Sequence, residues 1–191
     1  MISFGITGII GSGKSMLSQI FRAMNIPVYD ADTNAKLLME KDLQVKDSLI
    51  LNFGTNTYTN GKINKDYLRE IIFCNESNRQ LVNSIVHPAV KRDFVEWRKH
   101  TNTTFAAIES AILFEAKIND ILNCTIYVEA PEDIIIKRIC KRDNVSEQTA
   151  INKINIQKKN SGRDRCDYIF INDRNHSLIE QAEKFINDLN K

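Results

Sequence analysis

Eight consecutive residues near the N-terminus have types and spacing that suit phosphate binding: Gly8-Ile9-Ile10-Gly11-Ser12-Gly13-Lys14-Ser15. Glycines in the pattern G-x-x-x-x-G-K-S let the backbone curve so that successive N–H groups point at anionic oxygens. Lys14 adds a positive charge for the β- and γ-phosphates, and Ser15 supplies a hydroxyl that can ligate Mg²⁺. The segment therefore predicts a nucleoside triphosphate site whose binding residues are Gly8, Ile10, Gly11, Ser12, Gly13, Lys14, Ser15 and Met16.

The residues on either side of this loop supply the strand and the helix that such a loop requires. Ile2–Thr7 is typical of a buried strand, and Met16–Met24 has apolar residues at helical spacing. A helix that begins at the end of the loop directs the positive end of its dipole at the phosphates. The alternative, a glycine-rich turn that only joins a strand to a helix, is disfavoured by this context.

The composition is that of an ordinary globular protein with balanced charge. The chain has 191 residues, of which 42% are hydrophobic, and its 26 Lys and Arg against 24 Asp and Glu leave a net charge of +2. We therefore expect one compact domain with room for an insertion, and no nucleic-acid partner. The four cysteines form no C-x-x-C pair and no apolar run reaches the length of a membrane span. These features predict a reduced, unexported, cytoplasmic protein without a zinc site or membrane contact.

Short apolar segments alternate with helical patterns along the chain. Beyond the first strand, the candidate strands are Ile26–Tyr29, Thr104–Ile108, Cys124–Val128 and Tyr168–Ile171. This alternation predicts an α/β fold with a five-stranded parallel sheet, in which ligands bind at the carboxyl ends of the strands. Polar side chains follow those ends, and we expect several of them near the phosphates: Asp30, Asp32, Glu109, Glu129, Asn172 and Asp173.

The long interval between the second and third strands, about 35–103, has a mainly helical pattern and no second phosphate loop. We interpret it as a helical, substrate-binding insertion. A phosphate loop alone does not separate kinases, switches, motors and ATP-binding modules. A guanine-specific switch would present N-K-x-D and D-x-x-G tetrapeptides, and neither occurs in this sequence. A GTPase is therefore disfavoured.

Further short motifs make the chain resemble the dephospho-CoA kinase family over nearly its whole length. The matching pieces, in the family's order, are Thr7–Ser15, Asp30-Ala31-Asp32, Phe53-Gly54, Gly61–Asn64, His87-Pro88, Leu113-Phe114-Glu115, Arg138 with Arg142, Gln157 and Asn172. The departures are Ile9, Met16, Lys65 and Glu109, which stand where the family usually has glycine, threonine, arginine and aspartate. Because Glu109 is one methylene longer than aspartate, this departure affects how the side chains around a bound metal ion would be arranged.

The resemblance implies transfer of a phosphoryl group from ATP, with Mg²⁺, to the ribose 3′-hydroxyl of dephospho-coenzyme A. It implies a three-layer P-loop NTPase or nucleotide-kinase-like fold, with a core of about 1–34, 104–140 and 166–191 and a lid of about 141–165. Asp32 would accept the hydroxyl proton, as carboxylates do in other kinases, and Lys14 and Arg138 would act on the phosphoryl group. Asp30, Asp32 and His87 would contact the acceptor. Arg142 and Asn172 would contact the nucleotide.

Plainer interpretations of the same residues stay open at this stage. Asp32 could cap a helix over Thr33–Glu40, Arg138 and Arg142 could lie on a solvated helix face, and Asn172 could be a turn residue. Another small-molecule kinase with the same core, or a non-catalytic ATP-binding module, would share the phosphate loop. We expect a monomer or a weak homo-oligomer.

Overall fold

The computed structural model describes residues 1–158 and 162–190. The chain forms two compact units. Asp30–His100 makes one of them, and Met1–Tyr29 makes the other together with the residues described from Thr101 onward. Residues 159–161 of the predicted lid lie outside the described residues.

Strands and helices alternate at both ends of the chain, and the middle is mostly helical. In chain order the elements are β1 (Ile2–Thr7), α1 (Lys14–Ala23), β2 (Val28–Asp30), α2 (Ala31–Lys41), α3 (Leu43–Phe53), β3 (Tyr58–Thr59), β4 (Lys62–Ile63), α4 (Lys65–Cys74), α5 (Glu76–Lys99), β5 (Phe105–Glu109), β6 (Cys124–Glu129), α6 (Glu132–Asp143), α7 (Glu147–Lys158), β7 (Tyr168–Ile171) and α8 (Leu178–Leu189). The second strand begins at Val28 rather than at Ile26, consistent with the missing N–H of Pro27. No helix in the described part of the chain is both long enough and apolar enough to cross a bilayer.

The sheet has the strand order β2-β5-β1-β6-β7, with β1 at its centre. β1 pairs in parallel with β5, where Ile2 is opposite Phe105, and with β6, where Phe4 is opposite Cys124. β7 extends the sheet in parallel beyond β6. The prediction of an α/β fold with a five-stranded parallel sheet is therefore confirmed.

Aromatic packing fixes the two elements that flank the phosphate loop. Phe4 of β1 is fully buried and makes edge-to-face contacts with Phe21 of α1 and Phe185 of α8, at 4.9 and 5.0 Å between ring centroids. Burying each such ring stabilises the fold by about 2–3 kcal/mol, and edge-to-face geometry adds about 1 kcal/mol per pair. The end of β1 and the start of α1 therefore stand on a rigid base.

The Asp30–His100 unit contains α2 to α5 and a small hairpin that the helical pattern did not predict. β3 and β4 pair antiparallel around Asn60-Gly61, whose φ angles are 51° and 78°. Both angles suit the tight hairpin turn for which Asn-Gly is the preferred sequence. The Tyr58 hydroxyl donates a hydrogen bond to the Met39 carbonyl at 2.5 Å, which joins the hairpin to α2. Burial, with a smaller effect of the Glu40 charge, raises the pKa of Tyr58 to about 12.

Candidate active site

The predicted phosphate loop joins the end of β1 to the start of α1. Gly13 precedes the helix with φ 109° and ψ 18°, and its carbonyl accepts the N–H groups of Met16 and Leu17. Since α1 begins at Lys14, its first N–H groups and the positive end of its dipole lie at the loop. This is the strand, loop and helix arrangement that an anion site requires.

Asn172, which follows β7, lies about 160 residues along the chain from the loop and bonds to it. Its side chain is 5% exposed, and its Nδ2 donates a hydrogen bond to the Ser12 carbonyl at 2.7 Å. A Cβ atom on Gly13 would lie 1.8 Å from that Nδ2, and the positive φ of Gly13 is unfavourable for any other residue. The Gly13–Asn172 contact therefore explains why the loop needs glycine at this position.

Arg138 reaches the same loop from α6. Its Nη1 donates to the carbonyls of Gly11 and Ser12 at 3.2 and 3.3 Å, and its Nη2 donates to Asn172 Oδ1 at 3.3 Å. The alternative of a solvated helix face is therefore wrong for Arg138. The turn-residue alternative for Asn172 is incomplete, because its amide both donates to the loop and accepts from Arg138.

Lys14 places a second cation on the loop. Its Nζ donates to the carbonyls of Gly8 and Ile9 at 2.9 and 3.2 Å, so the ammonium group is folded back over the start of the motif. The Ser12 hydroxyl is buried beneath the loop and has no hydrogen-bond partner within residues 1–158 and 162–190. Met16 is 54% exposed at the first turn of α1. Lys14 and Arg138 therefore both bond to the loop, and their roles toward a nucleotide stay predictions.

Glu109, the last residue of β5, accepts hydrogen bonds from two serines of α1. Ser15 Oγ donates to Glu109 Oε1 at 2.8 Å, and Ser18 Oγ donates to Oε2 at 2.6 Å. Ser18 is fully buried and was not identified from the sequence, where its only signal is a spacing of one helical turn from Ser15. A hydroxyl beside a carboxylate is a set of hard oxygen donors of the kind that suits Mg²⁺.

A cavity of about 500 Å³ lies beside the loop, with Ile9, Glu129, Lys158 and Arg163 among its lining residues. Arg163 makes a two-point ion pair with Glu129, Nε to Oε1 at 3.1 Å and Nη2 to Oε2 at 2.9 Å. Lys158 pairs with Glu132. Gln157 Oε1 accepts the loop N–H of Ile10 at 2.6 Å. Arg163 was missed by sequence reasoning, because a single arginine in the segment after α7 carries no local pattern.

Arg142 lies one helical turn beyond Arg138 but does not share its partners. Its Nε and Nη2 donate to Asp143 at 2.7 and 3.2 Å, and Lys153 of α7 donates to the same carboxylate at 2.8 Å. These hydrogen bonds, that from Arg142 first, hold the pKa of Asp143 well below its usual range. Contact between Arg142 and a nucleotide stays a prediction.

The acceptor residues expected from the sequence belong to the Asp30–His100 unit. Asp30 Oδ1 accepts the N–H of Thr33 at 2.8 Å, and α2 begins at Ala31. The interpretation of Asp32 as a cap for a helix starting at Thr33 is therefore wrong: Asp30 is the cap, and Asp32 is an exposed residue of the first turn. His87 lies within α5, directly before Pro88. The structure leaves the roles of these three residues toward a substrate as predictions.

Comparisons with known proteins agree with this arrangement. The sequence model described as dephospho-CoA kinase matches residues 2–178. The dephospho-CoA kinase of Porphyromonas gingivalis is 38% identical over 188 residues, which cover 97% of this chain and 93% of that one. A crystal structure of a protein from Thermus thermophilus covers 100% of this chain and 98% of its own, with a TM-score of 0.84 and 24% identity.

A second solved structure, the dephospho-CoA kinase from Campylobacter jejuni, covers 98% of this chain and 96% of its own. Its TM-score is 0.69 at 22% identity. The two structures support the fold, whereas the sequence matches extend over the loop, the helical middle and the segment that carries Arg138 and Asn172. The chain therefore belongs to the dephospho-CoA kinase family.

Proposed function

We propose that this chain transfers the γ-phosphoryl group of ATP to the ribose 3′-hydroxyl of dephospho-coenzyme A, giving coenzyme A and ADP. Membership of the family supports this acceptor and this donor. The observation that supports phosphoryl transfer most directly is the position of Arg138. Helix α6, outside the loop, places its guanidinium against the Gly11 and Ser12 carbonyls. A planar, permanently charged group at this place suits the oxygens of a transferring phosphoryl group.

Binding of ATP falls to the loop. The N–H groups of the loop and of the first turn of α1 would bind phosphate oxygens, with Lys14 as a mobile cation near the β- and γ-phosphates. Arg138 would stabilise the charge that spreads over the equatorial oxygens in the transition state. Asn172 would complete the nucleotide site together with Arg142.

Mg²⁺ fits the pair formed by Ser15 and Glu109. The hydroxyl of Ser15 would bind the ion and the carboxylate of Glu109 would stand beside it. No group of three or more His, Cys, Asp or Glu among the described residues is arranged to hold a metal. In kinase sites Mg²⁺ is usually bound by one or two protein ligands together with water and phosphate oxygens. When bound, the ion neutralises charge on the phosphates.

The acceptor side of the reaction is assigned to Asp32. A ribose hydroxyl is a weak nucleophile near neutral pH, so a carboxylate that orients it and takes its proton accelerates attack. The 3′-oxygen forms a bond to the γ-phosphorus, the bond from that phosphorus to the ADP oxygen breaks, and the proton passes to Asp32. Asp30 and His87 are assigned to binding the acceptor.

We place the enzyme in the cytoplasm, as a monomer or a weak homo-oligomer. Cys124, Cys140 and Cys166 are free thiols, a condition that persists in reducing compartments. The lid is assigned to about 141–165 from the resemblance to the family, and small kinases exclude water from the γ-phosphate by closing such a lid. Hydrogen exchange over its described parts should slow when both substrates bind, and unchanged exchange would contradict closure there.

The test of function is mass spectrometry of products from purified protein with Mg²⁺ and ATP. Dephospho-coenzyme A competes in the same tube with adenosine, AMP and shikimate, and a Lys14→Ala variant is the control. Gain of one phosphate by dephospho-coenzyme A alone, lost in the control, is the expected result. Phosphorylation of another acceptor would favour a different small-molecule kinase, and binding of ATP without any product would favour a non-catalytic module.

A further inference from the structure

Ser18 is a serine in the middle of α1 whose hydroxyl bonds to a carboxylate on another element. Its side chain is fully buried, and its Oγ donates to Glu109 Oε2 at 2.6 Å. A serine inside a helix usually points to solvent or donates to a carbonyl one turn earlier on the same helix. Ser18 instead donates across to the end of β5, so its place in the sequence needs a reason beyond the formation of α1.

The Glu109 carboxylate is held at both of its oxygens by one face of α1. Ser15 Oγ donates to Oε1 at 2.8 Å, while Ser18 Oγ donates to Oε2. The two serines are three residues apart, so they are neighbours on the helix surface, about 4.5 Å apart along its axis. The terminal torsion of a glutamate side chain is broad, and a carboxylate with a single partner can rotate about it. Hydrogen bonds at both oxygens fix the plane of the group.

The two serines differ in exposure, and this difference separates their roles. Ser15 is exposed at the start of α1, within the phosphate loop motif. Ser18 has no exposed surface, so it cannot contact a ligand directly. A hydrogen bond from a hydroxyl to a carboxylate is roughly twice as strong as one between neutral groups, and 2.6 Å lies in the short range typical of such bonds. Ser18 therefore anchors the carboxylate, whereas Ser15 is open to a ligand.

We propose that Ser18 is a positioning residue for Mg²⁺, which acts by orienting the Glu109 carboxylate beside the ion that Ser15 would bind. The assignment rests on the proposed function for ATP and its metal ion, and it does not depend on the identity of the acceptor. Mg²⁺ demands near-ideal octahedral geometry, so a carboxylate that is fixed in advance favours its binding. Removal of a partner that orients a metal ligand typically costs about 10- to 100-fold in metal affinity or activity.

A purely structural role is the competing explanation for the same hydrogen bond. A buried hydroxyl needs a partner, and Glu109 would then serve only to satisfy Ser18. Removal of a structural bond lowers the stability of the fold and leaves the response to metal unchanged. The two explanations therefore differ in how ATP binding depends on Mg²⁺.

The test is calorimetric titration of the whole chain with ATP, in EDTA and at a series of free Mg²⁺ concentrations. Ser18→Ala removes the hydroxyl, and Ser18→Cys keeps nearly its volume but offers only a weak donor. The Mg²⁺ concentration that gives half of the metal's effect on ATP binding should rise roughly 10- to 100-fold in both variants. Affinity for ATP in EDTA should match the parent, because the loop itself is unchanged. Ser3→Ala, at a buried serine near the start of β1, is the matched control and should keep the parent's Mg²⁺ dependence.

A double-mutant cycle shows whether Ser18 acts through Glu109. Glu109→Gln keeps the shape of the side chain but removes its charge, so it should weaken the effect of Mg²⁺ by itself. Ser18→Ala added to Glu109→Gln should then cause no further change, because no carboxylate is left to orient. Full, independent effects of the two substitutions would overturn the assignment.

The remaining outcomes separate this assignment from the proposed acceptor. An unchanged Mg²⁺ dependence in the Ser18 variants would overturn the positioning role, even if their unfolding temperature falls. Ser18→Cys preserves the packing of the site, so it decides the question if Ser18→Ala does not fold. If ATP binding by the parent does not respond to Mg²⁺, the positioning role is also overturned. If the parent responds to Mg²⁺ but does not phosphorylate dephospho-coenzyme A, the acceptor is wrong, and the titrations still decide the role of Ser18.

Discussion

The Ser12 carbonyl is the point at which two distant segments hold the phosphate loop. It accepts from Asn172 after β7 and from Arg138 on α6, and those two side chains also bond to each other. Each hydrogen bond is modest by itself, about 1 kcal/mol net. Together they fix the direction of the N–H groups in the predicted phosphate site, because a peptide plane whose carbonyl is hydrogen-bonded cannot easily rotate.

Substitution of Gly13 should therefore destroy the loop. In Gly13→Ala the new methyl group overlaps Asn172 Nδ2 and occupies an unfavourable φ, so we expect loss of detectable ATP binding in calorimetry. Gly61→Ala is the matched control, because Gly61 also has a positive φ of 78° but nothing lies within 4 Å of its Cβ position. That control should lose only about 1 kcal/mol of stability and keep ATP binding. Equal behaviour of the two variants would contradict the Gly13–Asn172 explanation.

Loss of Arg138 should act on turnover. Arg138→Ala removes a preorganised donor near the transferring group, and we expect kcat to fall roughly 10²–10³-fold. Lys137→Ala is the control, since Lys137 is an exposed residue of the same helix that faces Asp133 at 3.7 Å. Steady-state kinetics with ATP and dephospho-coenzyme A measures both. A kcat for Arg138→Ala within tenfold of the parent would refute the catalytic assignment.

The loop could be predicted from the sequence because its requirements are local. Glycine spacing, Lys14 and Ser15 lie within eight residues, whereas the partners of Glu109 depend on how α1 lies against β5. Ser18 and Glu109 are 91 residues apart, and no spacing in the chain relates them. The hydrogen bond from the Ile10 N–H to Gln157 could not be predicted either, although Gln157 itself matches a position of the family's pattern.

At the scale of elements, the start of α2 separates two aspartates that share one short motif. Asp30 caps the helix, so Asp30→Ala should lower the free energy of unfolding by about 1 kcal/mol. Asp32→Asn should leave stability nearly unchanged and lower kcat by about 10²–10⁴-fold, the usual contribution of a general base. Urea unfolding and steady-state kinetics on both variants check this division. A stability loss in Asp32→Asn as large as in Asp30→Ala would contradict it.

The junction of α6 and α7 should respond to acid. The pKa of Asp143 is depressed in the folded chain, so its charge contributes stability above the unfolded value of about 4, and the contribution is lost as pH falls further. Asp143→Asn should therefore melt at a lower temperature than the parent at pH 7. The difference should shrink as the pH is lowered below about 4. A difference that does not depend on pH would show that Asp143 acts through packing rather than charge.

The elements themselves were largely foreseeable, and the exceptions have local causes. β-strands buried on both faces leave continuous apolar runs, so all five sheet strands appeared in the sequence within two residues of their observed starts. β3 and β4 have two residues each, too short to show alternation. Their signal was the Asn60-Gly61 turn. Aspartate is common at helix starts, so the residue type alone could not show whether Asp30 or Asp32 is the cap.

For the whole molecule, burial of the thiols predicts chemical inertness. Burial raises the pKa of both Cys124 and Cys166 to about 11, so at pH 8 only about one thiol in a thousand is a thiolate. Iodoacetamide should modify both residues at least on the order of a hundredfold more slowly than in the urea-unfolded chain, with the rate rising toward pH 11. Peptide mapping by mass spectrometry measures this. Rapid native labelling of Cys124 or Cys166 at pH 8 would contradict this effect of burial.

Fold class followed from the alternation of strands and helices, but the lateral order of the strands did not. β1 pairs with β5 and β6 rather than with β2, and nothing in the periodicity of Ile2–Thr7 specifies those neighbours. The order of the strands across a sheet is decided by the handedness of the crossovers and by the packing of whole helices. A short stretch of sequence contains neither kind of information.

The central place of β1 in the sheet has a consequence for synthesis. β1 and the phosphate loop are translated well before their neighbours in the sheet, since the partners of Ile2 and Phe4 are Phe105 and Cys124. At about 5–20 residues per second, roughly 6 to 24 s pass before β6 has been made. Until β5 has been made, the apolar strand β1 has neither neighbour, which is the condition in which chaperones bind nascent chains and edges aggregate. The phosphate loop is thus translated well before Arg138 and Asn172, the residues that hold it in its final shape.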